Sequence, residues 1–152
     1  MGPEKVNSDS TYTLVLDTSV FVSAVLFRGP TSRIVSLWQT GRISVLMSAE
    51  VLKEYARVLA YPKFKLSSEE IQIIIEQELL PYITPVRIKK IVPVIRQDPS
   101  DDKFLALAAA GKAGYILSGD KHFLNLTSYS GARILRPDEF LSRFSAPPEP
   151  RT

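Results

Sequence analysis

Cysteine is absent from the 152-residue sequence. Its absence excludes a disulfide scaffold, a thiolate metal site and a cysteine nucleophile, and it agrees with a reducing compartment. The apolar runs are also short, and none approaches the roughly 20 residues that a membrane-spanning helix needs. We therefore expect a cytoplasmic protein with no membrane partner.

Three other features are missing or scarce. No glycine-rich phosphate loop of either common type occurs, so nucleotide binding has little support. The single histidine, His122, gives little support for a Ser-His pair, and a lone histidine is more often incidental than a ligand. The net charge of +3 is small, so it permits a nucleic-acid partner without demanding one.

The length and the hydrophobic fraction of 45% are typical of one globular domain with a single core. We expect this domain to occupy residues 12–144. Residues 1–11 have no apolar signal core and are predicted to be a disordered lead, or one left by cloning. The proline-rich residues 145–152 are predicted to form a disordered tail.

Short apolar strands alternate with helical segments along the domain. Ser48 is a typical helix N-cap after the second strand, and Ser67 or Ser68 precedes a later helix. Pro85 favours an edge position for the third strand. The alternation predicts a three-layer α/β/α sandwich with a mainly parallel central sheet.

Acidic residues fall where parallel strands end or where helices begin. Asp17 and Asp120 each follow an apolar strand, and Asp101 and Asp102 stand at a helix start. Glu54 lies one turn into the helix after the second strand. Because ligands bind at the carboxyl ends of strands in open parallel sheets, we expect these acids to meet at one rim.

Clustered carboxylates repel one another and raise each other's pKa values, and a divalent cation removes that conflict. Hard oxygen ligands favour Mg²⁺ or Mn²⁺. Such an ion can orient and activate water and offset the charge on a phosphate. The predicted rim therefore suits phosphodiester hydrolysis.

Several ordered motifs resemble the PIN-domain family, in particular its prokaryotic toxin-antitoxin branch (VapC-like). They are "LVLDTSVFVSAV", "SAEVLKEYARVL" and "DPSDDKFLALAAAGKAGYILSGDKHFL". The resemblance covers roughly residues 13–143. It implies a Mg²⁺- or Mn²⁺-dependent endoribonuclease that acts on single-stranded RNA.

The resemblance also implies roles for individual residues. The four acids of the family correspond here to Asp17, Glu54, Asp102 and Asp120, as catalytic residues and metal ligands. Ser19 and Ser118 match small polar positions that hold the acids or a metal-bound water, and Asp101 is a further supporting residue.

Two ligand positions stay open from the sequence alone. Asp101 competes with Asp102, while Asp98 before Pro99 is better explained as a helix cap. Glu50 competes with Glu54, although a first-turn glutamate is already explained by the helix dipole.

Each acid also has a purely structural explanation. Asp17 could simply cap the helix that follows it. Asp120 could be a turn residue, and Glu54 could be a solvated glutamate paired with Lys53 or Arg57. The strand-end pattern that Asp17 and Asp120 share favours the site.

Basic and aromatic residues suggest how RNA could bind. Arg28, Lys53 and Lys121 are predicted near the rim, where they could meet RNA phosphates. Phe27 and Phe123 could stack on bases, although core packing is the commoner role of such residues.

The resemblance further implies a homodimer and a possible antitoxin partner. Trp38 and the helix containing "IIIEQELL" supply apolar residues that a dimer could bury. The alternative function is a non-catalytic PIN-like module that binds RNA or protein. A haloacid-dehalogenase phosphatase is disfavoured because Ser19 stands where that family has a second aspartate.

Overall fold

The structure is a computed structural model, and it describes residues 12–88 and 101–144. The predicted lead and tail lie outside the described residues. So do Asp98 and Pro99, the first of which was the predicted helix cap.

Six strands and seven helices alternate along the described residues, as follows. They are β1 (Thr13–Leu16), α1 (Thr18–Leu26), α2 (Arg33–Gln39), β2 (Ser44–Met47), α3 (Ala49–Leu59), α4 (Ser68–Ile73), β3 (Ile83–Pro85), α5 (Asp102–Gly111), β4 (Tyr115–Leu117), α6 (Lys121–Leu126), β5 (Ser128–Tyr129), β6 (Ala132–Leu135) and α7 (Pro137–Phe144). Short 3-10 turns precede α2 and follow α3, at Pro30–Ser32 and Pro62–Phe64. After α4 the chain continues as a π-helical segment, Ile74–Leu79.

The strands form one sheet in the order β3-β2-β1-β4-β6-β5. All neighbouring pairs are parallel except β5 with β6. From β1 the chain moves outward to β2 and β3, and β4 then returns to the other side of β1. Because parallel crossovers are right-handed, this reversal places helices on both faces of the sheet. The predicted α/β sandwich with a mainly parallel sheet is confirmed.

Strand β1 lies in the middle of the sheet and is covered on both faces. Leu14, Val15 and Leu16 are fully buried, which explains why this strand is a continuous apolar run rather than an alternating one. The edge position predicted for the third strand is also observed, since β3 ends the sheet and contains Pro85.

The serine caps predicted for α3 and α4 are confirmed, whereas the N-cap position of α5 is Asp101 rather than the predicted Asp98. The Ser48 side chain accepts a hydrogen bond from the Val51 amide at the start of α3. Ser67, rather than Ser68, caps α4 in a reciprocal capping box with Glu70. Helix α6 and strand β5 were not predicted, because six and two residues carry too little periodicity to identify.

Aromatic packing fixes α1 against α3. The rings of Phe21 and Tyr55 stack with centroids 4.0 Å apart, and the Tyr55 hydroxyl donates to the Leu16 carbonyl at the end of β1. Trp38 is 1% exposed and donates its indole N–H to the Glu78 carbonyl. Trp38 therefore belongs to the core of this chain, and the expectation that a dimer could bury it is wrong.

None of the helices in 12–88 and 101–144 is long and apolar enough to span a membrane by itself. One pair, Thr18–Leu26 with Pro30–Gln39, has the length and composition when taken together, but the two parts are bent by 94°.

Candidate active site

Asp17 stands at the point where the strand order reverses. It follows the last residue of β1, and its amide donates to the carbonyl of Leu117 at the end of the neighbouring β4. Crevices at such a switch point are where open parallel sheets bind ligands. The sheet topology therefore presents Asp17 in the position that most favours a ligand site.

Asp17 is 5% exposed, and its carboxylate accepts three hydrogen bonds. The Val20 amide and the Ser19 hydroxyl donate to Oδ1 over 2.9 and 3.2 Å, and the Ser118 hydroxyl donates to Oδ2. The Val20 contact makes Asp17 the N-cap of α1, as its structural explanation predicted. Capping uses one carboxylate oxygen and leaves Oδ2 facing Ser118 across the switch point, so the cap does not exclude a site.

Burial raises the pKa of Asp17 above its ordinary value. The hydrogen bonds from Ser118, Val20 and Ser19 lower that pKa, and the charge of Asp120 raises it again. Among the described parts of the chain, no cationic side chain contributes to this pKa. A buried acid that is stabilised by hydroxyl and amide donors but not by a positive charge is suited to a metal cation.

Ser118 connects the two strand-end acids. Its side chain is fully buried, and its hydroxyl oxygen accepts from the Asp120 amide over 2.9 Å while donating to Asp17. Asp120 itself caps α6 through the His122 amide and has a side chain 36% exposed. The His122 ring lies 3.7 Å from the Asp120 carboxylate. Asp120 thus sits beside Asp17 with its carboxylate open to solvent.

Glu54 points inward, with a side chain 13% exposed. It accepts from the Thr18 hydroxyl and from the Lys103 ammonium group, and Arg57 lies 3.6 Å away. Glu50 is exposed one turn earlier. Of the two candidates, the structure brings Glu54 toward the start of α1, next to Asp17.

Asp102 is the first residue of α5 and is 4% exposed, whereas Asp101 is partly exposed. The structure therefore buries the acid that the family resemblance selects. Asp101 occupies the N-cap position, but its side chain makes no capping hydrogen bond.

Lys103 was missed from the sequence. Its side chain is 17% exposed and forms an ion pair with Glu54, 49 positions earlier in the chain. A lysine in the first turn of a helix is normally expected to be exposed to solvent. Nothing in the neighbouring sequence indicates an ion pair with so distant a residue. The pairing follows only from the packing of α5 beside α3.

The acids at the switch point are candidate ligands for a metal ion. Within residues 12–88 and 101–144, no group of three or more Asp, Glu, His or Cys side chains is close enough to hold an ion. Mg²⁺ commonly keeps several waters and binds through one or two carboxylates. The carboxylates of Asp17 and the neighbouring Asp120 are hard oxygen donors. They fit a divalent cation that is bound by one or two carboxylates and keeps most of its water ligands.

The residues predicted to bind RNA are exposed but scattered. Lys121 begins α6 directly after Asp120, and Lys53 lies beside Glu54 on α3. Arg28 follows α1, whose nine residues separate it from Asp17 by about 13 Å. Phe123 is fully buried and belongs to the core, whereas Phe27 is 56% exposed.

A sequence model of the PIN domain matches residues 13–122 of this chain. Among solved structures, the crystal structure of FitAcB from Neisseria gonorrhoeae is similar, with a TM-score of 0.49 and 20% sequence identity. That match covers 82% of this chain and 97% of the other. A search of curated proteins gives no match.

Proposed function

The chain belongs to the PIN-domain family, and from that membership we propose that it is a Mg²⁺- or Mn²⁺-dependent endoribonuclease that cleaves single-stranded RNA. PIN domains are generally nucleases. The observation that carries the proposal is the environment of Asp17, a buried acid at the switch point that is hydrogen-bonded and has no ion pair with any cation in residues 12–88 and 101–144. We further propose Asp17, Glu54, Asp102 and Asp120 as its acidic set.

The chain's own residues hold the proposed centre in shape. Hydrogen bonds from Val20 and Ser118 fix the orientation of the Asp17 carboxylate, and so the position of its Oδ2 atom relative to Asp120. Ser118 keeps the two strand ends at one spacing, because its single hydroxyl contacts both of them. A divalent cation bound at these oxygens would lower the pKa of a water and offset negative charge on the phosphate.

Glu54 has a different place in the proposal. On α3, Glu54 accepts hydrogen bonds from Thr18 and Lys103, and the Lys103 ammonium group neutralises its charge. We propose that it acts as the second acid by orienting water and by holding Lys103 beside the substrate phosphate. Ser19 and Asp101 are proposed as supporting residues.

The test is cleavage of end-labelled single-stranded RNA with added Mg²⁺ or Mn²⁺ and again with EDTA. Activity that requires the ion and disappears with the chelator supports the proposal. Cleavage that resists EDTA contradicts the metal mechanism. Binding of RNA without cleavage, on a broad panel of sequences, would instead favour a non-catalytic binding module.

We also propose a homodimer and an antitoxin partner, both from resemblance to the toxin-antitoxin branch. Ile73, on α4, is 45% exposed and is apolar surface that a second subunit could cover. Light scattering at micromolar concentration checks the dimer, and a monomer would contradict it. A small DNA-binding protein encoded beside this chain, and co-purifying with it, would support the antitoxin.

A further inference from the structure

A groove of about 470 Å³ lies between α1 and the C-terminal half of α3. One end is formed by Thr18 and Glu54, the residues that adjoin Asp17. The other end is formed by Phe27, Tyr61 and Phe64, beyond the C-terminal ends of the two helices. The groove therefore leads away from the proposed catalytic centre along the surface of the protein.

The far end of the groove is aromatic and accessible. Phe27 and Tyr61 are 56% and 40% exposed, which is unusual for large apolar side chains. The Phe27 and Phe64 rings lie 6.4 Å apart at an angle of 59°. Phe27 and Tyr61 thus expose aromatic surface at one end of the groove, while Phe64 is partly buried and packs against the core. Exposed aromatic rings are surfaces on which unpaired bases stack.

Two cations accompany these rings. Arg57 donates to the Tyr61 hydroxyl over 2.9 Å, and its side chain is 60% exposed. The Lys63 ammonium group lies 5.2 Å from the centre of the Phe64 ring. Glu54, the acid among the lining residues, pairs with Lys103 and lies 3.6 Å from Arg57. With two cations and one acid in its lining, the groove carries an excess of positive charge.

From these contacts we propose that the groove is the binding track for the unpaired RNA nucleotides on one side of the cleaved phosphate. Bases stack on Phe27 and Tyr61, while Arg57 and Lys63 contact phosphates. The rings supply surfaces for bases and the two cations supply charge for phosphates, and this inference rests on the proposed ribonuclease function. The nine residues of α1 span about 13 Å, which accommodates about four nucleotides at roughly 3.4 Å per stacked nucleotide.

The experiment measures binding of fluorescein-labelled single-stranded RNA by anisotropy in EDTA, using the full chain. Phe27→Ala and Tyr61→Ala should each weaken binding about 5- to 150-fold. Lys63→Ala should make the negative slope of log K against log salt shallower by about 0.7, and Phe27→Ala should leave that slope unchanged. Tyr82→Ala and Arg143→Ala are the controls, since both residues are exposed and neither lines the groove.

The outcomes separate this inference from the function on which it rests. If the wild-type chain cleaves RNA but the Phe27 and Tyr61 variants bind RNA as tightly as Tyr82→Ala does, the groove proposal is wrong and the ribonuclease proposal stands. A wild-type chain that neither binds nor cleaves RNA overturns both. Thermal melts show whether each variant is folded, and Phe27→Leu distinguishes stacking from apolar contact because it keeps bulk without an aromatic face. Unchanged RNA binding with impaired binding of a protein partner would mean that the groove serves a peptide, and it would also overturn the inference.

Discussion

Replacing Asp17 by asparagine separates the role of its charge from the role of its shape. Asparagine keeps a carbonyl oxygen that can accept from the Val20 amide, so the start of α1 stays capped. The negative charge that would hold the cation is lost. Metal assistance contributes several kcal/mol to phosphate chemistry, and a loss of about 4 kcal/mol corresponds to roughly a thousandfold lower kcat/KM.

Stability should change little in the same variant. The Ser118 hydroxyl loses its carboxylate acceptor, which costs about 1 kcal/mol. Its oxygen already accepts from the Asp120 amide but has a second lone pair, so it can accept from the asparagine amide group. Removing a charge whose burial raises its pKa offsets the cost. We expect the melting temperature to stay within about 4 °C of wild type.

The assay compares cleavage of labelled single-stranded RNA by wild type and Asp17→Asn, with parallel thermal melts without metal. Asp138→Asn is the matched control, because it removes an exposed aspartate from the first turn of α7. Equal activity in a folded Asp17→Asn chain refutes the assignment of this residue. A loss of more than about 3 kcal/mol of stability would show that the carboxylate is chiefly structural.

Three further predictions concern stability. Burial raises the pKa of Asp17 in the folded state above its ordinary 3.8. Between these two pKa values the folded chain binds more protons than the unfolded chain, so the free energy of unfolding should fall as pH rises through that range. If Mn²⁺ binds ionised Asp17, it should raise the melting temperature at pH 7, and this increase should become smaller at lower pH because protons compete with the ion. An increase that does not depend on pH, or that is retained in Asp17→Asn, contradicts this. Lys103→Met should cost about 1–3 kcal/mol in urea unfolding, since it leaves the mostly buried Glu54 without its nearest cation. Glu54→Gln combined with Lys103→Met should cost less than the sum of the single changes, and strict additivity would deny the pairing. Gly111→Ala should destabilise by about 1–2 kcal/mol despite the better helix propensity of alanine, because its Cβ would lie 2.5 Å from the buried Leu46 side chain; a more stable variant in thermal melts would show that Leu46 can move.

Much of the fold could be predicted because its signals are local. The run Leu14–Leu16 is apolar at every position, which is what a strand covered on both faces requires. Ser48 caps its helix as predicted, and Ser67 is the one that caps among the two serines predicted for the later helix. Helix α6 and strand β5 carried no comparable signal, because each is too short for a period to repeat.

The sequence by itself determined that Asp17 and Asp120 each follow an apolar strand, and the alternation of strands and helices predicts that these two strands run in the same direction. Tertiary structure alone decided that β4 lies beside β1, which lets Ser118 contact both acids. It also decided that Glu54 faces inward toward Lys103 and that Phe27 meets Phe64 across a groove. Such contacts join residues dozens of positions apart, and their geometry depends on how helices pack on the sheet rather than on any spacing along the chain.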